Sequence, residues 1–173
     1  MNVKQIEKKW QGLGAKVEAV AYAQTGYDYD VTLTPESLHG FAEVMLAEGF
    51  YLVDLMAVHV KPAIEVVYQF AHFGGQRCRV MGRTFVDAQG ALPTISDVFQ
   101  GANWHEREAR DFHGVVFAGH PNLQPLILAE EDVDLKPLLK DEKVLKDVAA
   151  IRRQVPEAEA PAAEKAAKPE AAN

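Results

Sequence analysis

The chain has 173 residues, with 18 basic and 25 acidic side chains and a formal net charge of −7 when histidine is neutral. Hydrophobic residues make up 48% of it, a proportion typical of globular domains. The acidic balance argues against a protein that binds nucleic acid, because such proteins need surplus Lys and Arg to neutralise phosphates. It also argues against unaided docking on an anionic membrane surface.

Cysteine content and hydropathy indicate the redox compartment of the protein and its relation to membranes. Cys78 is the single cysteine, so the chain forms no internal disulfide and lacks the several thiolates that an iron–sulfur cluster takes. The first ten residues lack the apolar core of a signal peptide, and no stretch approaches the roughly 18 apolar residues of a membrane span. These features predict a protein of a reducing compartment that meets a membrane only through a partner.

Composition divides the chain into a body and a tail. Residues 156–173 hold eight Ala, four Glu, three Pro and two Lys, with no aromatic or branched aliphatic side chain. Such a segment has nothing to bury against a core, so it is predicted to be a disordered tail. Residues 1–155 are long enough for a single domain with its own core.

The body begins with a predicted amphipathic helix over residues 3–10, where apolar side chains recur every three or four positions. Residues 17–22 and 27–34 are predicted as two strands joined by a turn at 24–26. In the second strand, apolar residues alternate with Asp and Thr, the pattern of a strand with one buried face in an antiparallel sheet.

A second helix is predicted to start at Thr34 and Pro35, because a hydroxyl can cap the first turn and proline suits the first helical position. We expect this helix to end at Gly49. Its predicted apolar stripe consists of Leu38, Phe41, Ala42, Met45 and Leu46.

Three apolar runs follow at residues 50–60, 64–73 and 76–85, and the Gly74-Gly75 pair between the last two is a hairpin signal. The order is therefore helix, two strands, helix, three strands. This order predicts the α+β class, with a mostly antiparallel sheet covered by helices on one face.

The C-terminal part of the body is predicted to be helical, with an extended arm. Asn103 is expected to cap a helix that stops at Gly114, with Glu106 completing a capping box. An extended loop follows over residues 119–125, which contain two prolines. A final helix is expected at about 141–154.

The segment 104–113 is the densest group of candidate functional side chains. A zinc-protease pattern fails here, because the fourth position after His105 is Ala109 rather than a second histidine. An irregular metal site made of His105, His113 and His120 stays open on ligand type alone, although histidines with ordinary hydrogen bonds are far more common.

The charges of the same helix are explained most simply as ion pairs. Glu106 with Arg110, and Arg107 with Asp111, are opposite charges four residues apart, which places each pair on one helix face. The alternative is a stand-alone enzyme whose acid–base groups would be His105, Glu106, Glu108 or Asp111.

Residues 119–128, which we call the arm, are unusually apolar for a loop, and their two prolines keep the chain extended. A stiff apolar arm suits docking on another protein. It equally suits packing on its own domain, and the residues alone leave both interpretations open.

A long gapless motif covers the helix and the arm: Asn103-Trp104-x-Glu106-Arg107-Glu108-x-x-Asp111-Phe112-x-Gly114-x-x-Phe117-x-Gly119-His120-Pro121-x-Leu123. It resembles the signature of the 30 kDa subunit family of respiratory complex I (NADH:quinone oxidoreductase), which includes the equivalent subunit of energy-converting nickel–iron hydrogenases. Residues 49–58 and 65–68 resemble the family's central strands, so the resemblance covers about residues 41–141.

This resemblance implies a non-catalytic peripheral-arm subunit on the cytoplasmic face of the membrane, which scaffolds the large catalytic subunit and the iron–sulfur subunits for electron transfer. It implies no catalytic residue, cofactor or metal in this chain, with iron–sulfur clusters and other redox centres in the partner subunits. The motif residues that it implies for family structure and partner contact are Trp104, Glu106, Arg107, Glu108, Asp111, Gly114, Phe117, Gly119, His120, Pro121 and Leu123.

The resemblance weakens towards the C-terminus, where Leu135 and Leu139 stand at positions that are Gly and Arg in the family. Two kinds of complex therefore stay open, an NADH dehydrogenase that reduces quinone and an energy-converting hydrogenase. The alternative function, outside respiratory complexes, is a free-standing protein-binding module that uses the same arm.

Overall fold

A computed structural model describes residues 3–72, 74 and 77–151. Residues 156–173, predicted as a disordered tail, lie outside this range. The helices and strands, in chain order, are α1 (Val3–Gly12), β1 (Lys16–Ala19), α2 (Tyr22–Thr25), β2 (Tyr29–Thr32), α3 (Pro35–Ala47), β3 (Phe50–His59), β4 (Ile64–His72), β5 (Arg79–Phe85), β6 (Ala91–Pro93), α4 (Ala102–His113), β7 (Val116–Ala118) and α5 (Val148–Ile151).

A five-stranded sheet in the order β1–β2–β5–β4–β3 forms the centre of the fold. Neighbouring strands are antiparallel except β2 and β5, which run parallel. β6 and β7 pair in parallel as a separate two-stranded sheet beside it. The predicted α+β class with a mostly antiparallel sheet is confirmed.

β4 and β5 pair as the hairpin signal predicted, although Phe73, Gly75 and Gln76 of the connecting turn lie outside the described residues. The two flanking residues His72 and Cys78 continue the ladder, since the His72 N–H donates to the Cys78 carbonyl at 3.0 Å.

Helices α1, α3 and α4 supply the side chains that pack on one face of the large sheet. Trp10 of α1 lies at the centre of this core, with its ring centroid 5.9 Å from that of Phe41 and 6.4 Å from that of Phe50. Full burial of an aromatic or large aliphatic side chain contributes about 1.5–3 kcal/mol, so this one-sided core is the main source of stability. The β4 residues that enter it are Val66, Tyr68 and Phe70.

The start of α3 is confirmed, and the structure adds a partner to the cap. The Thr34 N–H donates to the Ser37 hydroxyl at 3.1 Å, which satisfies a backbone group at the helix entrance. The prediction that Leu46 belongs to the buried stripe is wrong. Its side chain is 51% exposed, because it lies about 100° around the helix from the buried Met45.

The predicted turn at 24–26 is a short helix instead. β1 ends at Ala19, and Tyr22–Thr25 form the single turn α2, which Gly26 ends with a left-handed φ of 80°. The Thr25 hydroxyl stabilises this turn by donating to the Tyr27 carbonyl at 2.8 Å, and its oxygen also lies 3.2 Å from the Ala21 carbonyl.

The predicted final helix at 141–154 is also wrong within the described residues. Two short pieces replace it, a 3-10 turn at Glu142–Val144 and α5. The Lys61 N–H donates to the Lys146 carbonyl at 2.9 Å, and the Val148 N–H donates to the Lys61 carbonyl at 3.3 Å. These backbone groups bond to Lys61 instead of to a continuous helix, and the bonds hold residues 146–148 beside the end of β3.

Candidate functional site

α4 carries the first half of the motif and starts earlier than the sequence predicts. The helix begins at Ala102, so Asn103 is inside it and is not the cap. Gly114 ends the helix as predicted, with a left-handed φ of 77° and its N–H donating to the Arg110 carbonyl at 2.8 Å.

Glu106 faces the core and not the solvent. Its carboxylate accepts the Ile95 N–H at 2.8 Å and the Thr94 hydroxyl, and the side chain is fully buried. The predicted ion pair with Arg110 and the predicted capping box are therefore both wrong. Burial raises the pKa of Glu106 to about 7, and the two hydrogen bonds offset only part of that rise.

Asp111 is the second buried carboxylate of the motif. One of its oxygens accepts three successive backbone N–H groups of the arm, those of Leu126, Ile127 and Leu128, at 2.8, 2.8 and 3.2 Å. Burial raises its pKa, but these three donors and the Arg110 guanidinium outweigh burial and leave the pKa below its usual value.

Arg107, one helical turn before Asp111, binds the same arm through neighbouring backbone groups. Its guanidinium donates to the Gln124 carbonyl at 2.9 Å and to the Pro125 carbonyl at 2.7 Å. The predicted Arg107–Asp111 ion pair is thus wrong, because each of the two side chains is used to hold backbone groups of the arm.

His120 holds the N-terminal end of the arm against α4. Its side chain is buried, with Nε2 at 3.2 Å from the Asn103 carbonyl and 3.9 Å from Glu106 Oε2. Nδ1 accepts the Asn122 N–H at 3.0 Å, an arrangement that assigns the proton to Nε2, which donates to the carbonyl.

The three candidate metal-binding histidines are not brought together. Nδ1 of His105 lies 3.4 Å from Asp54 Oδ1 at the surface, His120 is held by the arm, and His113 is buried at the end of α4. Burial lowers the pKa of His113. Within residues 3–72, 74 and 77–151, no group of three or more His, Cys, Asp or Glu side chains is placed to hold a metal ion.

The arm therefore packs on its own domain, as one of the two interpretations of the sequence predicted, and docking of its exposed residues on another protein stays a prediction. Leu123 contacts the core and Phe117 lies inside it, whereas Gly119 and Pro121 are exposed. Thr94 is the motif partner that sequence reasoning missed, since no local spacing relates it to Glu106 twelve positions later.

One apolar surface is left over once these bonds are made. Trp104 is 69% exposed and Ile127 is 57% exposed, and both border a shallow depression of about 450 Å³. Together with His105, Glu108 and Leu126 they form what we call the Trp104 patch. Sequence reasoning named Trp104 but missed Ile127, for which the apolar composition of the arm was the available signal.

Glu106, Arg107, Asp111 and His120 all have a structural role, because each side chain is hydrogen-bonded to other parts of this chain. These features define a class of protein. It is an α+β sheet domain in which α4 holds the extended arm by hydrogen bonds and exposes Trp104 on the surface. No helix in the described part of the chain is long and apolar enough to cross a membrane.

Residues 31–148 match the family of the respiratory-chain NADH dehydrogenase 30 kDa subunit, and the chain belongs to that family. A relative from Chlorobium phaeobacteroides, named as a subunit of NADH-quinone oxidoreductase, is 47% identical over 70 residues, which cover 40% of this chain and 41% of the relative. The chain spans between a third and a half of the length of the first curated relatives that it matches.

Solved structures show the same fold. The trypsin-resistant fragment 1–134 of Nqo5 matches with a TM-score of 0.58 and 25% identity, over 71% of this chain and 100% of that fragment. A chain of the membrane-bound sulfane sulfur reductase, an archaeal respiratory membrane complex, matches with a TM-score of 0.67 over 86% of each chain. Its identity is 23%, so this second likeness bears on the fold alone.

Proposed function

We propose that the chain is a non-catalytic structural subunit of a complex-I-like respiratory oxidoreductase, where it packs against the large catalytic subunit and the iron–sulfur subunits. The observation that carries this proposal is the Trp104 patch, which presents an exposed tryptophan on the helix whose Arg107 and Asp111 side chains hold the arm. Exposed tryptophans surrounded by apolar neighbours are typical anchors of protein interfaces.

Family membership supports the same role. Its curated relatives are named as subunits of NADH-quinone oxidoreductases. A subunit without a redox centre contributes by keeping its neighbours in register, because displacements of about 1 Å in a reacting assembly can cost about 100-fold in rate. The complex would hold the chain on the cytoplasmic face of the membrane. That complex would be either an NADH dehydrogenase that reduces quinone or an energy-converting hydrogenase.

The redox groups are proposed to lie in the neighbouring subunits and not in this chain. Burial raises the pKa of Cys78, the single cysteine, to about 12, so its thiol is a poor source of the thiolate that metal binding takes. An absorption spectrum and metal analysis of the purified chain should show no flavin, cluster or zinc. A stoichiometric amount of any of these would contradict the proposal.

The test of the interface uses the double variant Trp104→Ala with Ile127→Ser in the full chain. Buried interface anchors each contribute about 2 kcal/mol or more, so recovery of the large subunit in affinity purification from native membranes should fall more than tenfold. The isolated variant should unfold within about 0.5 kcal/mol of the parent, because both side chains are exposed.

Leu46→Ser is the matched control, because this aliphatic side chain is 51% exposed on α3 and lies outside the Trp104 patch. It should leave recovery of the complex unchanged. Full recovery of the large subunit with the double variant would overturn the interface assignment, and purification of the parent chain alone would overturn the subunit role.

A further inference from the structure

The Trp104 patch carries a charge as well as an apolar surface. Trp104 and Glu108 are four residues apart on α4, so both side chains lie on one helix face, and both line the depression of about 450 Å³. Glu108 also lines a second cavity, of about 250 Å³, between β3 and α4, whose lining includes Met56, Phe112 and Leu138. The Glu108 side chain therefore lies where two neighbouring concave surfaces meet.

Glu108 has no partner of its own in the part of the chain that the structure describes. Its carboxylate takes part in no hydrogen bond or ion pair with any described residue. The two cationic neighbours on α4 are directed elsewhere, since Arg107 donates to carbonyls of the arm and Arg110 lies 4.0 Å from Asp111 Oδ1. No described Lys or Arg lines either cavity. The surface around Trp104 thus presents an uncompensated negative charge.

The other ionisable groups of the two cavities have partners or favour the neutral form. Asp54 accepts the Leu55 N–H at 2.8 Å, and its Oδ1 lies 3.4 Å from His105 Nδ1. Burial lowers the pKa of His113, which favours the neutral imidazole. The electrostatic character of the surface therefore depends on Glu108.

An aromatic face beside a carboxylate is matched to a guanidinium group. The planar guanidinium stacks on an indole through cation–π attraction, and its N–H groups can donate to a carboxylate at the same time. Side chains at positions i and i+4 of a helix have Cβ atoms about 5–6 Å apart, so one guanidinium can reach both. A lysine ammonium is a compact point charge and lacks the planar face that stacks.

We propose that the Trp104 patch binds an arginine side chain of a neighbouring subunit, with the guanidinium stacked on Trp104 and paired with Glu108. Apolar residues beside this arginine would cover Leu126 and Ile127, which line the same depression. An acidic segment would be repelled by Glu108, and a wholly apolar one would desolvate its charge without compensation. This inference rests on the proposed subunit role and names the chemistry of the partner at the same surface.

Photocross-linking in the intact membrane complex identifies the partner segment. An Ile127→p-benzoylphenylalanine variant keeps a large apolar side chain in the patch and leaves Trp104 and Glu108 unchanged. We expect a cross-link to another subunit, on a peptide that contains an arginine flanked by apolar residues. The same probe at Leu46, on α3, should give no cross-link to that peptide.

Substitutions then measure the contact itself. Glu108→Gln should lower recovery of the cross-linked subunit about tenfold or more, because it leaves the arginine without its carboxylate. Trp104→Leu keeps most of the apolar area but removes the aromatic face, and should lower recovery about threefold. Glu43→Gln is the matched control, since the Glu43 side chain is also exposed but lies on α3 outside both cavities.

A charge swap separates a direct pair from an indirect effect. Glu108→Arg should abolish recovery, and replacing the partner's arginine by glutamate in the same complex should restore it. Thermal unfolding of isolated Glu108→Gln should match that of the parent, because the Glu108 carboxylate binds no other described part of the chain.

Failure of this inference and failure of the subunit role give different results. A cross-linked peptide without arginine, a cross-link to a second copy of this chain, or equal recovery with Glu108→Gln and Glu43→Gln would overturn the arginine contact. Absence of rescue by the charge swap would overturn it as well, as would absence of a cross-link in a complex that still contains the large subunit. Purification of the parent chain without any other subunit would overturn the subunit role and this inference together.

Discussion

Glu106 is a carboxyl group whose protonation is coupled to folding. Its folded-state pKa is about 7, against 4.5 for the unperturbed group. The folded protein therefore binds more protons than the unfolded chain between these two values. Linkage then requires the free energy of unfolding to decrease as pH rises through that window. The contribution of Glu106 is greatest below about pH 4.5 and is lost by about pH 7.

We predict that Glu106→Gln flattens this dependence. The glutamine carbonyl can still accept the Ile95 N–H, and its amide can donate to the Thr94 oxygen, so the fold is preserved. The shift in pKa corresponds to about 3 kcal/mol at most between pH 4.5 and pH 7. Denaturant unfolding of parent and variant at several pH values in this window measures the difference directly.

The titration of His113 changes the free energy of unfolding in the opposite direction with pH, so its effect must be separated from that of Glu106. Burial lowers its pKa, so its contribution to stability increases as pH rises through its own titration. Because His113 is present in both proteins, its effect cancels in the difference between parent and Glu106→Gln. Parallel pH profiles of the two proteins would show that Glu106 does not titrate in this window.

At the scale of elements, α4 and the arm behave as one unit. Asp111 binds three amides of the arm, and Arg107 binds two of its carbonyls. Hydrogen bonds to charged groups contribute about 1.5–3 kcal/mol each in favourable cases, so a few side chains hold a segment that has no regular structure of its own. Rigidity of the arm in turn positions Ile127 beside Trp104 on the surface.

We predict that Asp111→Ala releases the arm while the sheet remains folded. The three amides of Leu126, Ile127 and Leu128 lose their common acceptor, so their hydrogen exchange should accelerate by at least tenfold. The global free energy of unfolding should fall by about 2–4 kcal/mol. Amide exchange measured by mass spectrometry or NMR checks the first effect, and denaturant unfolding checks the second.

Asp97→Ala is the control for this variant. Asp97 is an exposed carboxylate that pairs with His39 at 2.8 Å on the surface, and exposed pairs contribute at most about 1 kcal/mol. It should leave exchange in the arm unchanged. Equal protection of the arm in Asp111→Ala and the parent would mean that the arm is held by its apolar contacts alone.

These elements show where sequence reasoning succeeds and where it fails. Periodicity predicted α1, the apolar stripe of α3 and the alternating strand at 27–34, and continuous apolar runs predicted β3, β4 and β5. It failed for α4, where spacing of four suggested ion pairs but the true partners of Glu106 and Asp111 are Ile95 and the arm amides. It failed again at 141–151, the described part of the predicted final helix, where backbone bonds to the distant Lys61 outweighed local helical patterning.

For the whole molecule, the helical core packs on one face of the five-stranded sheet, and the Trp104 patch lies where α4 meets the arm. The second face of the sheet borders a cavity of about 680 Å³, to whose lining the short helices α2 and α5 also contribute. In the proposed subunit role, the Trp104 patch is the surface available to a neighbour, because it carries exposed apolar side chains beside Glu108.

Truncation after Val155 tests where the folded body ends. Residues 156–173 lack any aromatic or branched aliphatic side chain, so we predict that removing them changes the melting temperature by no more than about one degree. Truncation after Leu145 is the contrasting variant, because it also removes the backbone bonds of Lys146 and Val148 to Lys61. Losing these bonds and the contacts of α5 should lower the melting temperature by several degrees, since about 1 kcal/mol corresponds to about 2–4 °C at this size. Calorimetry of the two truncated chains beside the full chain measures both shifts. A large drop already at Val155 would place part of the Ala/Glu-rich segment within the folded body.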